Sequence, residues 1–174
     1  MKSPRFATVV CAAWVSVMMA WSAEPGLPAD APNYTGKYSL QERKNAPVSS
    51  DPEVEVVQTE SDVQVTTTSG GNRTTNRYPL NNSEGDYVSP GGVPGKCKAR
   101  IKGSQLILES MVVTHPQPDV PVRMHIKERW ELSKDSKTLT IQTDIDFPDM
   151  SAAISSAVTE NSPKKQKYVR IDSR

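Results

Sequence analysis

KERWELSKDSKTLTIQTDIDF, residues 127–147, contains two alternating runs on either side of a polar turn. Extended back to Val122, the first run places Val122, Met124, Ile126, Glu128, Trp130 and Leu132 at even positions. Arg123, His125, Lys127, Arg129 and Glu131 take the odd ones. In the second run Leu139, Ile141, Thr143, Ile145 and Phe147 are mainly apolar, and they alternate with the polar Thr138, Thr140, Gln142, Asp144 and Asp146. A period of two is the mark of a strand with one buried and one wet face, so the stretch reads as a β-hairpin. Keeping both apolar faces together requires an even loop, either Lys134 to Lys137 or a tight Lys134-Asp135 turn.

The same texture extends outward. Period-two runs fall at 38–44, 53–59, 62–68, 72–80, 96–103, 104–113 and 164–171, separated by turn residues such as Gly70-Gly71-Asn72. Eight or nine strands with hairpin-length connections argue for an antiparallel sandwich or an up-and-down barrel rather than a βαβ fold. Only DMSAAISSAV (149–158) has helical spacing, and its small side chains suit a loop nearly as well. The sequons at Asn33, Asn72 and Asn81 read as turn chemistry.

The N-terminus has a different character. Lys2 and Arg5 precede an uncharged, mostly apolar run from Ala7 to Ala20, and Ala20-Trp21-Ser22 supplies small residues around a cleavage point. This predicts a signal peptide over 1–22, cleaved near Ser22, and a secreted or periplasmic protein without a stable membrane anchor. Val9 and Val10 before Cys11 are wrong for a lipid-modified cysteine. Residues 23–33, rich in proline, read as an extended leader, and 34–174 as a single domain. Cleavage would remove Lys2 and Arg5 and shift the formal charge from +1 to about −1, which leaves no footprint for nucleic acid. It would also leave Cys97 alone, so a core rather than a disulfide must hold the domain.

Few residue clusters suggest chemistry. Asp144 and Asp146 point outward by the pleat, opposite His125, Lys127 or Arg123, where cross-strand ion pairs account for them. His115 and His125 lack ligand spacing, and no metal or other cofactor is implied. Cys97 faces the apolar side of its strand without an identifiable catalytic partner, and no nucleophile motif is present. Lys96, Lys98, Arg100 and Lys102 form a solvated outer face without interleaved aromatics. Glu128 is the exception, a lone charge on an apolar face. Either a local twist or bulge carries it to a barrel mouth, or it is an inward acid in a ligand cavity.

ERWELSKDSKTLTI resembles a hairpin of small exported bacterial lipocalin-like (calycin-like) proteins, many of them uncharacterised, in which a Trp- or Tyr-bearing strand precedes Ser-x-Asp-Gly-Lys-Thr-Leu. Gly36-x-Tyr38 is similar to the Gly-x-Trp/Tyr opening of their first strand, and YVRI to their last. Ser136 replaces the family's usual Gly, which suggests a different turn geometry. The resemblance implies an antiparallel up-and-down barrel of about eight strands, with an apolar cup and no required catalytic residue.

The expected function is therefore a non-enzymatic binding module for a small apolar or amphipathic ligand. Its cavity candidates are Glu128, Trp130, Thr143, Met124, Ile126, Ile141 and Ile145. The alternative is a structural or protein-interaction domain with a solid core and a partner at an edge strand.

Overall fold

The computed structural model describes residues 31–41, 52–117, 120–150 and 165–171. In chain order the strands are β1 (Gly36–Leu40), β2 (Glu53–Gln58), β3 (Asp62–Ser69), β4 (Asn72–Pro79) and β5 (Gly85–Val88). They continue with β6 (Pro94–Lys102), β7 (Gln105–Gln117), β8 (Val120–Leu132), β9 (Thr138–Asp146) and β10 (Lys165–Arg170). All ten belong to one antiparallel sheet, in the order β4-β3-β2-β1-β10-β9-β8-β7-β6-β5. The expected count of about eight is thus corrected to ten. The strand that left no trace in the sequence reading is β5: GDYV is four residues long, too short to display a period. Of the expected helix or loop at 149–158, residues 151–158 lie outside the described residues.

Each strand forms for the reason its sequence suggests. In β2, β3 and β6 the apolar positions Val54, Val56, Val63, Val65, Cys97 and Ala99 are buried, and the polar Glu55, Gln64 and Lys96 between or beside them are exposed. Gly70 (φ 56°) and Gly71 (φ 82°) both adopt left-handed conformations, which fits the tight β3–β4 hairpin to the twist of its strands. The β8–β9 hairpin keeps Leu132 opposite Leu139, and Ser133 N–H donates to the Thr138 carbonyl (2.9 Å), leaving Lys134 to Lys137 as the loop. Ser136 has φ 55°, the left-handed conformation that a glycine favours. Asp135 accepts from Ser133 Oγ (2.5 Å) and Lys137 N (3.1 Å), which fixes the turn around that residue.

Non-local pairing rolls the sheet up. β1 pairs with β10, Tyr38 lying opposite Arg170, and this joins the first half of the sheet to the second. The two edge strands, β4 and β5, then come side by side without forming a ladder. The Asn76 side chain closes this seam: its Nδ2 donates to the Val88 carbonyl (2.9 Å), and its Oδ1 accepts from Val88 N–H (2.8 Å). Cys97 Sγ donates across the same seam to the Arg77 carbonyl (3.3 Å). A Cβ at Gly85 would stand 2.9 Å from the Arg77 carbonyl oxygen, so glycine is what permits β5 to approach. The result is a nearly closed barrel with Val56, Val63, Leu106, Leu108, Val112 and Leu139 in its core.

The lower end is plugged. Tyr34, just before β1, is fully buried, and its hydroxyl lies 2.8 Å from both the Ser104 and Trp130 carbonyl oxygens. It also accepts from Leu106 N–H (3.0 Å), and Tyr38 Oη donates to the Tyr34 carbonyl (2.9 Å). Arg170 stacks over the Tyr38 ring at 5.4 Å and donates to the Tyr38 hydroxyl (3.1 Å) and the Thr35 carbonyl. The opposite end carries the β3–β4 and β5–β6 turns.

Candidate ligand-binding site

Strand β8 supplies the central side chains. Its register is continuous on both sides, with Leu108, Glu128 and Thr143 in one row and Leu106, Trp130 and Ile141 in the next. The one register shift in the β7–β8 ladder falls between Thr114 and Gln117 of β7, far from this row. The bland reading of Glu128, a twist or bulge to the barrel mouth, is therefore corrected: the residue points inward.

Inside the barrel lies a cavity of about 420 Å³. Its deep wall is aromatic, formed by Tyr78 (β4), Tyr87 (β5), Trp130 (β8) and Tyr168 (β10), with Val54, Val65 and Ile141 between them. Towards the β3–β4 turn the wall turns polar, with Thr67, Ser69, Asn72 and Thr74. This volume suits one small ligand, and polar and apolar groups share the wall about equally. Tyr78 and Tyr87 meet edge to face, their ring centroids 6.2 Å apart at 62°, across the β4–β5 seam.

Glu128 is the only acidic side chain on the cavity wall, which holds no lysine, arginine or histidine among the described residues. Trp130 Nε1–H donates to its Oε2 (3.1 Å). Protein encloses Glu128, yet it retains accessible surface because it borders the void. That burial pushes its carboxyl pKa up, and the Trp130 hydrogen bond offsets the effect only in part. Desolvation also raises the three tyrosines, and the Glu128 charge adds to it: Tyr87 and Tyr168 reach about 12, and Tyr78 lies well above its usual value. All three therefore present neutral hydroxyls. Tyr168 Oη donates to Gln166 Oε1 (3.3 Å) beside it.

Of the residues singled out in the sequence, Glu128, Trp130 and Ile141 come together on this wall. Met124, Ile126, Thr143 and Ile145 share the inward face by register and are half-buried, but they do not line the cavity. The sequence reading missed Tyr78, Tyr87 and Tyr168. Inward alternation within NRTTNRYPL and KKQKYVRI marks Tyr78 and Tyr168 as core positions, but no local signal says that they meet. Tyr87 was lost together with its strand.

The remaining candidates are structural. Asp144 pairs with Arg129 (2.8 Å), Asp146 with His125 (3.6 Å) and Asp149 with Arg123, all on the outer face. Cys97 is buried, and its thiol is pushed up to about 11 by desolvation. No cluster of metal-ligating side chains occurs among the described residues. A second depression, about 490 Å³, lies on the outer face of β6–β8 around Lys96, Met111, Val113 and His125, and it opens broadly to solvent.

No protein-family model matches the chain, and no curated protein matches it in sequence. Solved structures do resemble it. The REP1-NXSQ fatty acid transporter superposes with a TM-score of 0.53 at 13% identity, over 80% of this chain and 97% of that one. Lipid binding protein 8 of Caenorhabditis elegans gives 0.52 at 7% identity, over 79% and 95%. The shared feature is the fold: an all-β, antiparallel, nearly closed barrel. Such a likeness defines an architecture, and function must be argued from the site.

Proposed function

We propose that this chain is an exported, non-enzymatic carrier whose barrel holds one small apolar or amphipathic ligand. The observation that carries the reading is the partly open cavity of about 420 Å³ with four aromatic side chains on its wall, in a barrel plugged at one end by Tyr34. The two structural neighbours named above are a fatty acid transporter and a lipid binding protein by name, which agrees with this use of the barrel. Export rests on the N-terminal pattern, Lys2 and Arg5 before the apolar run that ends near Ala20. The seam weighs against the interaction-domain alternative, because the Asn76 amide already occupies the Val88 backbone groups that an added strand would pair with.

The test is a titration with a neutral, apolar fluorescent dye. Saturable one-to-one binding is expected, and Val65→Phe, which pushes a ring into the void, should abolish it while leaving the barrel folded. Absence of saturable binding refutes the carrier reading. Mass analysis of the secreted or periplasmic product tests export separately: a chain lacking residues 1–22 is expected, and an intact chain retained in the cytoplasm refutes it.

A further inference from the structure

The charge-bearing residue types on the cavity wall are of one sign. Glu128 contributes a carboxyl group, and its hydrogen-bond donor among the described residues is the neutral Trp130 indole. The described wall offers no lysine, arginine or histidine to balance it. Arg170, near the plug, is not on the wall: its Nη2 donates to the Thr35 carbonyl and the Tyr38 hydroxyl, its guanidinium lies over the Tyr38 ring, and its buried Nε has no hydrogen-bond partner among the described residues. The groups that share the space with Glu128 come from several strands: Tyr78 on β4, Tyr87 on β5, Trp130 on β8 and Tyr168 on β10. All are electron-rich rings, and neutral at ordinary pH.

A ligand carboxylate entering this wall would meet a buried carboxylate of like charge, with no cation to receive it. An ammonium group would meet a carboxylate acceptor and aromatic faces, the two features that stabilise a desolvated cation. The apolar sides of Val54, Val65 and Ile141 remain for a hydrocarbon portion. We infer that the barrel selects an amphipathic amine, its ammonium group against Glu128 among the aromatic rings and its apolar part along the valine and isoleucine wall. This inference rests on the carrier reading and adds the class of ligand head group. Burial raises the Glu128 carboxyl pKa, which agrees with a wall that offers it no cation.

The experiment uses the full chain at pH 7 and displaces the neutral dye with three ligands of equal chain length: n-decylamine, n-decanol and n-decanoate. Decylamine should displace the dye at a concentration about ten-fold or more below that of decanoate, with decanol between them. In Glu128→Gln the preference for the amine over the alcohol should fall to near parity. Decanoate displacing as well as decylamine in the unaltered chain overturns the inference without recourse to any variant. An amine preference that survives Glu128→Gln overturns it too. Failure of all three ligands to displace a dye that binds saturably overturns the inference alone, whereas failure of the dye to bind sinks the carrier reading and the inference with it.

Discussion

Replacing Asn76 by alanine tests how the barrel is closed. Asn76 is 9% exposed, and its side-chain amide makes two hydrogen bonds to Val88 at 2.9 and 2.8 Å where no strand ladder joins β4 to β5. Truncation removes both bonds, each worth about 1 kcal/mol net. It also leaves the N–H and C=O of Val88 without protein partners. Because the seam is only part-buried, water reaches them in some degree, and the added penalty is about 1 kcal/mol rather than the full desolvation cost. The expected loss is therefore about 2–3 kcal/mol. At a urea dependence of about 2 kcal/mol per molar, this lowers the unfolding midpoint by about 1–1.5 M. Amide hydrogen exchange supplies the local readout, with Val88 losing protection more than the β7–β8 hairpin. Asn76→Asp keeps an acceptor for Val88 N–H but removes the donor to its carbonyl, so it should preserve more of the Val88 protection. A midpoint shift below about 0.2 M, with Val88 exchange unchanged, would refute the claim that this amide closes the barrel.

Three further outcomes are expected. Burial raises the Glu128 pKa above its ordinary 4.5, so the folded state holds that proton more tightly and stability falls as pH rises from about 4.5 through the raised value. Glu128→Gln should then match the unaltered chain in urea unfolding near pH 4 and exceed it at pH 8, and a pH-independent difference would contradict the burial argument. Ser136→Gly relieves a non-glycine residue at φ 55° and should raise stability by about 0.5–1 kcal/mol, whereas a loss in thermal unfolding would show that the Ser136 side chain matters more than the backbone. Cys97, buried with its pKa at about 11, should resist alkylation at pH 8 in the native chain and react in urea; peptide mapping that finds it modified without denaturant would show the β4–β5 seam to be open.

The amino-acid sequence determined by itself what one strand and its immediate partner decide. Alternation assigned the faces of β8 and β9, placed Trp130 and Ile141 inward, required an even-numbered loop after Ser133, and put Asp144 and Asp146 outside, where they lie beside Arg129 and His125. These properties follow from a two-residue repeat and a short turn, and both are local. Tertiary structure alone decided the rest. β5 is too short to show a period, and it is a strand because Gly85 lets it approach β4 and because β6 pairs with it. Tyr78, Tyr87 and Tyr168 stand around Glu128 only because β1 pairs with β10 and Asn76 draws β4 onto β5. Whether inward side chains fill the interior or leave about 420 Å³ of it empty depends on the barrel's girth. Girth follows from the number and tilt of the strands, and no single strand encodes either.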